Sequence, residues 1–219
     1  MRWQEQSNTR LNPANIQVED IVFKVDCNCL PVDHAYALSR ALVGILPWID
    51  NEGLAGIHAI FGAASGNGWI RPDGTDDTLL QLPRRTKLTL RIPSGRVKDA
   101  TMLVGSKLNI DGQDLAVGAY KRSYLAATPN LISRHAVQQV NEDEEKFADR
   151  IATEIESLGI EVKKLVSGQL RQIRTPEKSL SARSVMIADL NAEESINLQQ
   201  FGVGSHRLLG CGIFIPSKI

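Results

Sequence analysis

A chain of 219 residues with 25 Lys+Arg, 25 Asp+Glu and 42% hydrophobic residues has room for one large domain or two small ones, each with a core. No apolar run is long enough to span a membrane, the start Met1-Arg2-Trp3-Gln4-Glu5-Gln6 has no apolar signal core, and three cysteines form no disulfide pattern. A cytoplasmic protein with no membrane partner is therefore expected, and its zero net charge taken alone argues against nucleic acid as a partner.

Residues 1–19 are polar and irregular and read as a leader. Ile21 to Val25 is a short β-branched run, a strand. Cys27-Asn28-Cys29 lacks a second Cys/His pair at ligand spacing, so neither a metal site nor a cofactor is expected. Asp33 stands where an N-cap would. After it Leu38, Ala41, Leu42, Ile45, Leu46 and Ile49 recur at helical spacing, and Pro47 sets the helix end. Ile57 to Gly62 reads as a strand, and Gly62 to Asp77 as a glycine- and aspartate-rich loop. The spacing of Asp73, Asp76 and Asp77 in that loop fits no calcium motif. Leu79 to Leu82 and Lys87 to Ile92 read as a hairpin about Pro83-Arg84-Arg85. A helix from Ser94 to about Gly105, then a strand pair or a bent strand over Leu108 to Val117 about Asp111-Gly112, complete the first half.

The second half repeats this order. Leu131 to Val140 is a strand. Asp143 to Leu158 is a helix with Phe147, Ile151, Ile155 and Leu158 on one face, stopped by Gly159. Val162 to Arg174 and Leu180 to Leu190 are strands, Asn191 caps a helix ending near Phe201, and Ile213 to Ile215 is the last strand. Two βαββαβ halves make an α+β chain of two tandem ferredoxin-like units, over 20–120 and 121–219. The fold hosts many functions, so function has to come from the sites.

Charge is polarised beneath its neutral sum. Arg84 to Lys98 holds six basic residues and no acidic one, and Glu161 to Arg183 six against two. Glu142 to Glu156 reverses this, with seven acidic and two basic. Such a molecule can present a basic face to phosphate. Four glycines, Gly202, Gly204, Gly210 and Gly212, lie within eleven residues around His206 and Arg207, between a helix and the last strand. A capping glycine alone would make that connection, whereas four can turn several backbone N–H groups toward one anion. The order is the reverse of a Rossmann or Walker loop, which follows a strand and opens a helix.

A helix, a loop of the form G-x-G-x5-G-x-G and a terminal strand resemble the signature of the CRISPR repeat-processing endoribonucleases of the repeat-associated mysterious protein (RAMP) superfamily. Leu30-Pro31-Val32-Asp33-His34-Ala35-Tyr36-Ala37-Leu38 and Lys87-Leu88-Thr89-Leu90-Arg91-Ile92-Pro93 agree with it, and the resemblance runs from about Val18 to the end. It implies the same tandem fold, RNA held along a cleft between the halves, and a catalytic histidine on the first helix, where His34 matches. It also implies that the protein stays on the 3′ repeat hairpin as one subunit of a type I interference (Cascade) complex, beside backbone and other subunits.

Physical reasoning supports His34 independently. It follows the expected N-cap, where the helix dipole disfavours imidazolium, and a neutral imidazole is a general base near neutral pH. Tyr36 either assists it or pairs with Arg40 on the surface. His58 is a structural residue or a catalytic partner in the same cleft. His206 is placed as an RNA contact, and His135 has no special support. Arg84, Arg85, Lys87, Lys163, Lys164, Arg171, Arg174, Arg183 and Arg207, with the four loop glycines, are the expected RNA grip. Aromatic residues are only 5%, which favours recognition of a folded hairpin by shape and backbone over base stacking. Two other readings are a non-cleaving RNA-binding subunit and a cytosolic ligand-sensing protein of the same fold.

Overall fold

The computed structural model describes residues 16–61 and 79–217. The Gly62 to Asp77 loop, its three aspartates and most of the expected leader lie outside the described residues. The first half contains β1 (Val18–Asp26), β2 (Cys29–Pro31), α1 (Ala35–Ile45), β3 (Gly56–Ile57), β4 (Leu79–Gln81), β5 (Lys87–Pro93), α2 (Val97–Ala100), β6 (Lys107–Ile110) and β7 (Gln113–Ser123). The second contains β8 (Leu131–Val137), α3 (Glu144–Glu156), β9 (Lys164–Arg174), β10 (Ser179–Ala188), α4 (Ala192–Phe201) and β11 (Phe214–Pro216).

The strand orders are β3-β5-β1-β7-β6 and β11-β8-β10-β9, all antiparallel. Counting β1, β3, β5 and β7 as strands one to four gives 2-3-1-4, and β8 to β11 give the same order. The chain is thus two tandem ferredoxin-like units, with β6 added to the first sheet by a tight turn at Asp111 (φ 47°) and Gly112 (φ 84°).

Each half buries the apolar face its periodicity marks. Leu38, Leu42 and Leu46 meet Ile21, Phe23, Leu88, Leu90 and Ile92 of the first sheet. Phe147, Ile151 and Ile155 of α3 meet Leu131, Val185, Ile187 and Phe214 of the second. A fully buried Leu or Phe side chain is worth roughly 1.5–3 kcal/mol over an exposed one, so these faces decide which way the helices lie. α3 is capped by Asp143, whose Oδ1 accepts from Lys146 N–H at 2.9 Å. α4 starts in a capping box, Asn191 accepting from Glu194 N–H while the Glu194 carboxylate accepts from Asn191 N–H.

Several expectations are corrected. α1 ends at Ile45, and a 3-10 turn over Pro47–Asn51 carries the chain on. The helix expected from Ser94 is one α turn between two 3-10 turns. β3 is only two residues long. β4 does not form a hairpin with β5. It pairs with β2, Leu80 opposite Leu30, because both edges of β5 are already bonded to β1 and β3.

Buried polar links join the halves. Arg91 of β5 is 1% exposed and grips both Asp20 carboxylate oxygens, at 2.9 and 3.1 Å. Its remaining Nη1 donates to the Gln199 and Phe214 carbonyls of the second half, each at 2.7 Å. Such a charge is tolerated in a core only when every donor is matched.

Candidate active site and nucleic-acid interface

His34 is itself the N-cap of α1, its carbonyl accepting from Leu38 N–H at 2.9 Å. Asp33, expected in that place, caps nothing. Its Oδ2 accepts from the Arg174 N–H at 2.7 Å and lies 4.0 Å from Arg174 Nε, so it ties α1 to the end of β9. The His34 ring is 5% exposed, and its Nδ1 lies 2.8 Å from the Pro31 carbonyl. A carbonyl only accepts, so in the neutral ring Nδ1 carries the proton and Nε2 keeps the lone pair. A small cavity of about 30 Å³ collects His34, His58, Phe61, His135, Ile173 and Gly210 along its wall. His135 is the member that sequence reasoning passed over. It reaches the cavity from β8 only because the second sheet packs against α1, a pairing no local pattern announces.

His58 follows β3 and turns its Nε2 to within 3.3 Å of Asp20 Oδ1. Burial lowers its pKa, opposed by Asp20. Burial acts to raise the Asp20 carboxyl, but His58 and then Arg91 more than offset this and hold it well below the ordinary range. His58 thus shares the cavity with His34 while its ring edge belongs to the Asp20–Arg91 cluster. Tyr36 is two residues beyond His34, roughly 200° around the helix. It lines a separate cleft of about 560 Å³ with Arg40, Lys178 and His206. Burial, then the Lys178 charge, lowers the pKa of His206.

The N–H groups of the four loop glycines, expected to face an anion, are taken up within the chain. Gly202 N–H donates to the Leu198 carbonyl, Gly210 N–H to Arg207, and Gly212 N–H to His135 at 2.6 Å. Gly204 N–H donates to Glu154 Oε2 at 2.8 Å. The glycines serve backbone shape, all four having φ between 64° and 79°. A Cβ on Gly202 would overlap the Gly212 carbonyl and the Arg207 guanidinium, and one on Gly212 the Val203 carbonyl. Arg207 is no free phosphate ligand either. Its guanidinium donates to Phe201 O at 2.7 Å, Gln200 O at 3.1 Å, and Ala55 O and Leu54 O at 3.3 Å, bridging the halves. Burial, then the Arg91 charge, lowers its pKa to about 10, so it stays protonated at neutral pH.

The other expected RNA contacts divide by partner. Arg183 donates to Gln138 and to the Gly168 carbonyl at 3.0 Å and lies 3.4 Å from Glu144, an internal role. Lys164 pairs with Asp189 at 2.8 Å, and Lys163 reaches the Asp189 carbonyl at 3.4 Å. Arg84, Arg85 and Lys87 are exposed on the turn into β5. Arg171 and Arg174 are exposed on the outgoing end of β9, Arg174 already engaged with Asp33. Cys27 and Cys29, considered above for metal, bond instead to the Cys29 carbonyl and to Gln113.

Comparison with known proteins agrees with this architecture. The family profile described as Cas6 Crispr matches residues 19–219. The CRISPR-associated endonuclease Cas6 of Myxococcus xanthus (strain DK1622) is 30% identical over 197 residues, covering 90% of this chain and 80% of that protein. Among solved structures, a Cas6-related protein from Pyrococcus furiosus superposes with a TM-score of 0.61 at 13% identity, over 90% of this chain and 98% of that one. A RAMP protein that binds different RNA substrates gives 0.60 at 16%, with the same coverage.

Proposed function

Because the chain belongs to the Cas6 family, we propose that it is an endoribonuclease that cuts CRISPR repeat RNA in precursor transcripts without a metal ion. The observation that carries the reading is His34, buried at a cavity wall with Nδ1 held by the Pro31 carbonyl, which makes Nε2 the basic nitrogen of the neutral ring. RNA brings its own nucleophile. Nε2 takes the proton of a 2′-hydroxyl, and that oxygen attacks the adjacent phosphorus. The P–O bond to the 5′-oxygen breaks, and an acid protonates the leaving oxygen. The products are a 2′,3′-cyclic phosphate and a 5′-hydroxyl. His58 is the second catalytic residue by position, and Tyr36, on the far side of α1, is assigned to RNA contact in the larger cleft.

RNA is held by the exposed cations Arg84, Arg85, Lys87, Arg171 and Arg174, with His206 in the cleft. Their charge neutralises phosphates and makes binding salt-dependent. The protein then keeps the 3′ hairpin as a subunit of a type I interference complex in the cytoplasm, a role resting on family membership. A non-cleaving RNA-binding subunit is the second reading, favoured by the small size of the histidine cavity.

One assay separates them. In EDTA, wild-type protein should cut a labelled repeat hairpin and leave a cyclic phosphate on the 5′ fragment. His34→Ala should bind the hairpin equally and cut it ~10²–10⁴-fold more slowly. A 2′-deoxy residue just upstream of the scissile phosphate should stop cutting and leave binding intact. A requirement for Mg²⁺, or cleavage of the 2′-deoxy RNA, would sink the mechanism. Binding with no cleavage by the wild type would establish the second reading.

A further inference from the structure

Arg134 on β8 lies outside both basic runs of the sequence and outside its glycine loop. Its guanidinium carbon lies 4.4 Å from the centroid of the Phe61 ring. Phe61 in turn stacks on His135, with centroids 6.3 Å apart and planes 28° apart. Phe61 and His135 both line the cavity that contains His34. Arg134 is thus carried on an aromatic shelf at the wall of the proposed catalytic cavity, while remaining exposed. A guanidinium stacked on a ring is restrained in its plane and keeps its N–H edge for a ligand.

A second exposed cation, Arg171, lies on β9 of the same sheet, with β10 between the two strands. Burial, then the charge of Arg171 on β9, lowers the pKa of Arg134. Among the described residues neither arginine has a carboxylate at ion-pair distance. The contrast within the molecule is sharp: Arg91, Arg122 and Arg150 each sit 2.6–2.9 Å from a carboxylate oxygen. Like charges that act on one another without a counter-charge oppose folding, and a bound anion reverses that penalty. A phosphate group offers the bidentate acceptor geometry that guanidinium matches.

We infer that Arg134 forms a phosphate-binding site at the wall of the histidine cavity, that Phe61 orients it, and that the ligand is a phosphodiester of the RNA backbone within reach of His34. The inference rests on the function proposed above, and its test has an arm that does not depend on cleavage. Binding of a repeat hairpin carrying the 2′-deoxy block would be measured across a salt series for wild type, Arg134→Gln, Arg134→Lys and Phe61→Leu. Arg134→Gln should loosen binding about tenfold at low salt and reduce the log–log salt slope by roughly one. Arg134→Lys should recover the slope. In single-turnover cleavage at saturating protein, both Arg134 variants should be slow, Arg134→Gln by about a hundredfold, because a point charge does not replace a fork. Phe61→Leu should keep the slope and lose rate.

The melting midpoint distinguishes a structural role. Removing one of two repelling charges should leave it unchanged or raise it, and a fall large enough to explain the weaker binding would overturn the site. So would wild-type affinity and slope in Arg134→Gln. Inorganic phosphate tests the source of the ligand. If it raises the wild-type midpoint through Arg134 while RNA affinity is indifferent to Arg134, the site serves a free anion and the inference fails. A wild type that binds but never cuts defeats the function proposed above, and the salt-slope arm still decides this site.

Discussion

At the scale of single residues, the loop glycines separate backbone conformation from close approach. Gly204 and Gly212 have φ of 64° and 67°, so alanine at either meets the left-handed penalty, roughly 1–2 kcal/mol. A Cβ on Gly204 meets nothing nearer than Glu154 Oε2 at 3.9 Å, whereas one on Gly212 runs into the Val203 backbone. Gly204→Ala should therefore lower the denaturation free energy by about 1 kcal/mol, and Gly212→Ala by clearly more. Urea titration checks the order, and equal losses would mean that conformation alone makes this loop glycine-rich. His34 shows the other side of residue-scale reading. Its place at a helix start was visible from the sequence, but the Pro31 carbonyl that sets its tautomer was not, because that bond depends on how the chain turns before α1.

Among the elements, the two ends of the β4–β5 segment differ in what the chain demands of them. β4 is held by β2, β5 is fixed on both edges, and the turn between them carries Arg84 and Arg85, both exposed. Reversing both charges should leave the melting midpoint near wild type. RNA affinity should weaken and the salt slope fall by up to about two, one for each phosphate that an arginine had neutralised. Unchanged binding would place the RNA path elsewhere. A 3.6-residue apolar period made α1 and α3 legible, as with Phe147, Ile151 and Ile155, and the Asn191 cap made α4 legible, because both are local facts. The partner of β4, the brevity of β3 and the arrival of His135 beside His34 were not. Each is settled by which edges and faces are already occupied elsewhere in the fold. Arg183 and Arg207 read as RNA ligands for the same reason: a sequence shows a charge but not the carbonyls that surround it.

On the scale of the whole molecule, the tandem order βαββαβ could be read from the sequence, whereas the polar seam that joins the halves could not. Arg91 is bounded by Leu90 and Ile92 in an ordinary strand pattern, and only the tertiary structure brings Asp20, Gln199 and Phe214 to it. The seam gives a pH dependence. The Asp20 carboxyl lies below its ordinary value in the folded chain. Its contribution is complete above the unfolded value, near about 3.9, and is lost as pH falls through that value toward the folded one. Stability by urea titration should fall steeply below about pH 4 in the wild type. Asp20→Asn should be weaker at neutral pH and show a shallower acid decline. An equal decline in the variant would assign the acid sensitivity to other carboxylates, such as Glu142 beside Arg150. Arg207 has a different consequence. Arg91 is neutralised by Asp20, but the Arg207 guanidinium bonds carbonyl oxygens, and among the described residues no carboxylate lies at ion-pair distance from it. A half-buried, protonated cation without a paired carboxylate projects its potential outward, here into the 560 Å³ cleft it lines, where Arg40 and Lys178 add to it and Asp50, Glu52 and Glu177 oppose it. It can draw a polyanion in from a distance without touching it. Arg207→Gln, which keeps amide donors for the carbonyls, should slow RNA association at low ionic strength in stopped-flow mixing. The dissociation rate should change little, and the difference from wild type should vanish as salt is raised.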